Sequence, residues 1–219
     1  MSEATYIRWA VDRLNVTDPV VKKAWSGDNS TVYEIASAER RWFLKIGDHL
    51  ERECARLRWL RGRLPIPQVV ALDTAAERDA LLTSAVAGSD LAALAKRLRP
   101  DTVAEMLASA LRAFHSANAS DCPFTALIPG TTLVHGDACL PNILFGDDGT
   151  LNGYIDLGDM GAGDAEVDLC AAVWSLQYNL GPGLGLGFLR AYGRPDATER
   201  DVDRLWAMYA AGGTRGPFT

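Results

Sequence analysis

The sequence predicts an α+β chain in two lobes, a β-rich N-terminal lobe over about 1–86 and an α-rich C-terminal lobe over about 87–219. Three observations carry this. Short runs of β-type residues fill the stretch from 31 to 86. From Asp90 onward the pattern turns helical and rich in Ala and Leu. Between the two, Ala87-Gly88-Ser89 breaks the chain. At 219 residues the chain can bury one sizeable core or two small ones packed together.

The elements follow in order. Ala4 to Leu14 has apolar residues at helical spacing and predicts a short amphipathic helix. Thr31–Ile35 and Arg41–Ile46 read as strands, the second closed by Gly47-Asp48. The small polar loop Ser26-Gly-Asp-Asn-Ser-Thr31 before the first strand can turn tightly and present backbone N–H groups. Leu50 to Leu64 is helical by period, and Pro65 and Pro67 stop it. Residues 68–72 and 80–86 read as two more strands. Asp90 to Ser116 reads as one helix. Residues 133–145 and 151–157 read as a loop-strand and its partner, with Asp147-Asp148-Gly149 as the turn between them. Helices follow at about 165–180, 184–192 and 198–210. The glycine-rich run from Gly181 to Gly187 has no strand before it and reads as a connection between helices.

Composition sets bounds on function. Hydrophobic residues make up 48% and charged residues 23%, as in an ordinary globular protein. No apolar run is long enough for a membrane span, and the N-terminal residues lack a secretory core, so a cytoplasmic chain with no membrane association is expected. The four cysteines are scattered, without a CxxC pair, and read as free thiols. A net charge of -6 argues against nucleic-acid binding and suits a cationic small molecule.

The chemistry concentrates in LVHGDACLPNILF, residues 133–145. There His135, Gly136, Asp137 and Asn142 interrupt an apolar frame, and Asp156 follows in GYIDLG. Hard oxygen donors such as Asp137, Asn142 and Asp156 suit Mg²⁺, which is usually held by one or two protein groups plus substrate phosphates. A carboxylate left outside the metal shell can take a proton from an attacking hydroxyl. Protein kinases divide the work in this way, with Asp-xxxx-Asn followed by a strand-end Asp. The N-terminal half adds Lys45 on a strand and Glu53 on the next helix, a pairing that suits nucleotide phosphates. The loop with Asn29 and Ser30 lies where a phosphate-covering loop belongs. Backbone groups of the lobe junction, Leu82 to Gly88, can meet an adenine.

HGDACLPN together with IDLG resembles the aminoglycoside phosphotransferase family, within the protein-kinase-like fold, and most closely its 3'-phosphotransferase branch. The resemblance covers most of the chain: the Lys45 strand, RECARLRWL, Ala87-Gly88-Ser89-Asp90-Leu91, Phe114-His115, Cys122-Pro123-Phe124, HGDACLPN, IDLG, and Gly163-Asp164 through Asp168-Leu169. It implies Asp137 as the catalytic base, Asn142 and Asp156 as Mg²⁺ ligands, and Lys45 at the α- and β-phosphates with Glu53 as partner. It places Ser84 and Val86 at the adenine, gives His135 a shaping role in the loop, and puts Asp159 and Asp164 on the acceptor side. It also departs from the branch. Only eight residues, 125–132, separate Phe124 from Leu133, where a long acidic helical insertion is usual. The last residues read AAGGTRGPFT instead of an acidic-aromatic ending. Asp159, Ala165 and Trp174 stand where the branch tends to carry basic residues.

The expected function is therefore transfer of the γ-phosphoryl group of ATP, with Mg²⁺, to a hydroxyl of a small cationic molecule, an aminoglycoside in the setting of antibiotic resistance. GTP stays open as donor, because the junction contacts are mostly backbone. ATP is expected between the lobes. The protein is expected to act as a monomer or homodimer. A kinase for another hydroxylated antibiotic or metabolite is one alternative, and an inactive nucleotide-binding remnant is another.

Overall fold

A computed structural model describes residues 2–27 and 29–213. Asp28, inside the predicted phosphate-covering loop, and residues 214–219, most of the C-terminal ending, lie outside the described residues. The chain divides into two compact units, Met1–Val86 and Ala87–Thr219.

In the first unit α1 (Glu3–Leu14) precedes an antiparallel sheet. Its strands are β1 (Val20–Ser26), β2 (Ser30–Ala36), β3 (Arg41–Gly47), β4 (Val69–Asp73) and β5 (Asp79–Ser84). Their order across the sheet is β1-β2-β3-β5-β4. Period-two alternation sends Tyr33 and Ile35 of β2, and Trp42, Leu44 and Ile46 of β3, to one face. There they form a core with Tyr6 and Ala10 of α1 and with Ala80 and Leu82 of β5. Lys45 therefore points to the opposite face, in register with Val32 and Leu81. Helix α2 (Leu50–Leu60) packs on β4 and β5 through buried Cys54, Leu57 and Leu60.

Two features of this unit differ from the sequence reading. β1 was not expected, because VVKKAWS lacks alternation. It is an edge strand, exposed along nearly its whole length and carrying lysines that blunt the edge. Helix α2 ends at Leu60, not at Leu64, because Gly62 takes a left-handed φ of +78° and unwinds the last turn.

In the second unit, β6 (Ser89–Asp90) leads into the short helix α3 (Leu91–Leu94), which Asp90 caps by accepting the Ala93 N–H at 2.8 Å. The single helix expected from Asp90 to Ser116 is thus two helices. Pro100 occupies the first turn of α4 (Pro100–His115), and Arg99 before it is extended, as a residue preceding proline tends to be. Then come β7 (Thr132–Val134), a 3-10 turn (Leu140–Asn142), β8 (Ile143–Phe145), β9 (Leu151–Tyr154) and β10 (Gly161–Gly163). β6, β8 and β9 form one antiparallel sheet, and β7 pairs with β10. Helices α5 (Glu166–Leu180), α6 (Gly185–Tyr192) and α7 (Glu199–Met208) complete the unit, ending in a π-helical turn over Tyr209–Gly213. α5 is buried on most sides, and α4 packs on α6. β9 stops at Tyr154, so Asp156 lies beyond the strand in a loop rather than at its end. Among the described residues no helix is long and apolar enough to cross a membrane.

Candidate active site

The polar cluster of residues 133–145 occupies the loop between β7 and β8. What holds that loop is a carboxylate on the buried helix α5. Asp168 is fully buried and accepts the backbone N–H groups of His135 at 2.7 Å and Gly136 at 2.8 Å. Its Oδ2 also lies 2.9 Å from His115 Nε2 at the end of α4, and His115 Nδ1 lies 2.7 Å from the Tyr192 hydroxyl of α6. The carboxylate can only accept, so His115 Nε2 donates to Asp168. Four elements thus converge on one buried acid. Further along α5, the Ser175 hydroxyl accepts the N–H of Leu140 at 2.9 Å.

Gly136 is required by space. Its φ is +90°, and an added Cβ would lie 2.4 Å from the carbonyl oxygen of Asp159. The loop therefore passes against the 156–160 segment closely enough to set Asp137 beside Asp156. His135 is buried against Phe114, with ring centroids 5.5 Å apart, and its Nδ1 accepts the Asp137 N–H at 3.3 Å. It shapes the loop from within.

Asp137 is half-buried. Asn142 Nδ2 donates to its backbone oxygen at 2.9 Å and to its carboxylate at 3.0 Å. Burial pushes the Asp137 carboxyl above its ordinary value, and the neighbouring charge of Asp156 pushes it further. The Cys139 side chain, His135 and Asn142 draw it back. The Cys139 thiol, itself buried beside Asp137, is driven well up, so it stays protonated. Asp156 is exposed, and the Ile155 N–H donates to the Asn142 carbonyl at 2.9 Å, which fixes its approach to Asn142. Its φ of +57° is left-handed, an uncommon state for a residue other than glycine and a frequent mark of functional loops.

The structure thus brings Asp137, Asn142 and Asp156 together. Among the described residues no three His, Cys, Asp or Glu side chains cluster as a metal cage. The Asp156 carboxylate and the Asn142 carboxamide suit a hard cation that completes its shell with water and phosphate oxygens, which leaves the Asp137 carboxylate outside that shell. The bonds from Asn142 Nδ2 leave its amide oxygen as the atom to face such a cation.

In the first unit Lys45 Nζ lies 2.8 Å from Glu53 Oε2, with side chains 22% and 10% exposed. Partial burial holds this pair in one geometry more firmly than a surface pair. α2 is set for the contact because the Asp79 carboxylate accepts the Leu50 N–H at 2.8 Å at its start. Ser30 pairs with Gly47 across β2 and β3, and the Asn29 carbonyl is held by the Arg78 guanidinium. Ser84 ends β5, where its hydroxyl accepts the Gln68 N–H at 2.9 Å, and Val86 follows it half-buried. Asp164 accepts the Glu166 N–H at 2.9 Å and so opens α5, while Asp159 lies against Gly136.

Sequence reasoning assigns no role to Asp168, His115, Ser175 or Tyr192. One signal is present: Asp168 is an acid at the head of the mostly apolar run DLCAAVWSL, which carries no basic residue. Such an acid has to find its donors elsewhere in the chain.

The model of a phosphotransferase enzyme family matches residues 20–130 and 125–206. A probable aminoglycoside 3'-phosphotransferase of Lactococcus lactis is 44% identical over 80 residues, which is 36% of this chain and 29% of that protein. An aminoglycoside 3'-phosphotransferase of Niallia circulans is 25% identical over 247 residues, covering 90% of this chain and 93% of that protein. Among solved structures, an aminoglycoside-3'-phosphotransferase of type VIII superposes with a TM-score of 0.74 at 23% identity, covering 91% of this chain and 97% of that one. The protein-kinase-like fold expected from the sequence is the fold found.

Proposed function

The chain belongs to the phosphotransferase enzyme family, and from that premise we propose that it moves the γ-phosphoryl group of ATP to a hydroxyl of an aminoglycoside. The observation that carries this reading is Asp137, tied to Asn142 and standing beside Asp156 on a loop clamped from below by a buried acid. In this reading Asp137 orients the acceptor hydroxyl and takes its proton late in the transfer. Asp137 is suited to that task because burial raises its basicity while Asn142 fixes its direction. Lys45, held straight by Glu53, meets the α- and β-phosphates. Backbone groups of Asn29 and Ser30 face the phosphates, and those of Ser84 and Val86 face the base. Asn142 and Asp156 would hold Mg²⁺, which would supply charge neutralisation of the phosphate oxygens. Asp159 and Asp164 lend negative charge to the side where a cationic acceptor would bind.

A second reading, transfer to another hydroxylated small molecule, is favoured by the segment after Phe124. It is a short strap pinned along β10, with the Ala126 N–H on the Ala162 carbonyl at 3.0 Å and the Asp164 N–H on the Ile128 carbonyl at 3.0 Å. An acceptor bound here must be held by other groups than a long acidic insertion. The test is ATP consumption by the purified protein against kanamycin, neomycin, a nucleoside antibiotic and a peptide antibiotic. Turnover with kanamycin or neomycin supports the first reading. Turnover with only one of the others moves the protein to the second. No turnover with any of them removes both.

A further inference from the structure

Helix α5 carries the catalytic loop on one stripe. Cys139 Sγ lies 4.0 Å from the Ala171 carbonyl, and the Ser175 hydroxyl takes the Leu140 N–H. Residues 171, 174, 175 and 178 follow the three- and four-residue spacing that puts side chains on one helical face. Trp174 and Tyr178 therefore continue the stripe that supports the loop. Their rings stack, with centroids 5.0 Å apart and planes at 15°. Trp174 also stacks on Tyr209 from the C-terminal π-helical turn, at 4.7 Å and 22°. Tyr209 is buried, and both its side chain and the Asp137 carboxylate lie close enough to the Cys139 thiol to act on it. At the other end of the stack Tyr178 is 75% exposed.

We propose that the Tyr209–Trp174–Tyr178 stack is the acceptor-binding platform, and that the open face of Tyr178 receives an amine-bearing, polyhydroxylated ring of the substrate. The inference rests on the proposed phosphotransfer and names the side chains that take the place of the long acidic insertion. Three features argue for this occupant. The stack is continuous with the catalytic loop through Cys139 and Ser175. An aromatic face attracts an ammonium group through its quadrupole, and it offers a flat apolar surface to the C–H face of a sugar ring. The flank of the catalytic loop carries Asp137, Asp156 and Asp159, which favour a cation. Trp174, stacked on both Tyr178 and Tyr209, fixes the orientation of the outer ring, so the platform loses little entropy when a ligand settles on it.

The test combines kinetics with calorimetry on the full chain, using kanamycin as probe. Tyr178 is exposed and outside the catalytic loop, so Tyr178→Ala keeps the fold. A melting scan of the variant with and without MgATP should give the same shift as the native chain. Tyr178→Ala is expected to raise KM for kanamycin about 3- to 30-fold and leave kcat within a factor of two. Tyr178→Phe is expected to restore the native KM, because the ring and not the hydroxyl carries the contact. An unchanged kanamycin KM in Tyr178→Ala overturns the platform while leaving phosphotransfer intact. If no acceptor is turned over, calorimetry of kanamycin binding decides. Binding that weakens in Tyr178→Ala supports the platform and retires the phosphotransfer reading, whereas no binding to the native chain overturns the platform.

Discussion

Replacing Asp168 by Ala is the sharpest perturbation of the site that leaves every proposed ligand-contacting side chain in place. The carboxylate is fully buried and accepts three donors, the N–H groups of His135 and Gly136 and His115 Nε2, at 2.7, 2.8 and 2.9 Å. A buried donor left without a partner costs about 1–3 kcal/mol. Three of them give roughly 3–9 kcal/mol, and breaking a buried pair by removing one member typically costs about 3–5 kcal/mol. The lower range is the better expectation, because the space left by the carboxylate can admit water. For a chain of this size each kcal/mol lowers Tm by about 2–4 °C, so the expected drop is roughly 6–20 °C. Asp168→Asn keeps one acceptor oxygen and should lose about half as much. Both variants should lose kcat by more than tenfold at temperatures where they are still folded, since the clamped backbone sets the position of Asp137. Thermal melting followed by circular dichroism, with initial rates measured below the transition, reads both quantities. A Tm drop under about 2 °C for Asp168→Ala, or an unchanged kcat, would refute the idea that this acid holds the loop.

Other substitutions test separate parts of the account. Gly136→Ala should cost activity beyond its effect on Tm, because its Cβ meets the Asp159 carbonyl at 2.4 Å at a φ of +90°; native-like kcat would contradict the close packing. Lys45→Ala and Glu53→Gln should each raise KM for MgATP by roughly tenfold or more, with the larger effect for Lys45, and a change confined to the acceptor KM would reassign the pair. Asp137 also links stability to pH. Its folded pKa is raised, so the stability it contributes is complete below the ordinary carboxylate range and is lost as pH rises through the elevated value. In metal-free buffer Asp137→Asn should therefore melt higher than the native chain at neutral pH, and the gap should shrink towards pH 4; a variant less stable at neutral pH would overturn the assignment of burial as the main cause.

Much of this architecture is legible in the residues. The alternation in TVYEI and RWFLKI predicts β2 and β3, and with them the face from which Lys45 reaches Glu53. The spacing of Asp137 and Asn142 predicts neighbours that the structure joins by two hydrogen bonds. Much of what escaped the sequence depends on contacts far along the chain. β1 gains its place only by pairing with β2, since its own residues show no amphipathic pattern. The break at Pro100 is a local signal, a proline in the first turn with an extended residue before it, that the Ala- and Leu-rich period on either side masks. The left-handed turn at Asp156 falls on a residue type that adopts it more readily than most, but the residue alone does not require it. The clamp of Asp168 unites segments more than thirty residues apart. No periodicity reports such a bond, although an acid within an apolar helix marks where to look.

The most direct test of the central claim is phosphorylation of kanamycin by the native chain and by Asp137→Asn, with MgATP binding to both proteins measured alongside. The native chain is expected to add one phosphoryl group to kanamycin, while Asp137→Asn binds MgATP with near-native affinity and fails to transfer it. Retained transfer in Asp137→Asn would contradict the role of Asp137 as base, and loss of nucleotide binding in that variant would place Asp137 in the nucleotide site instead.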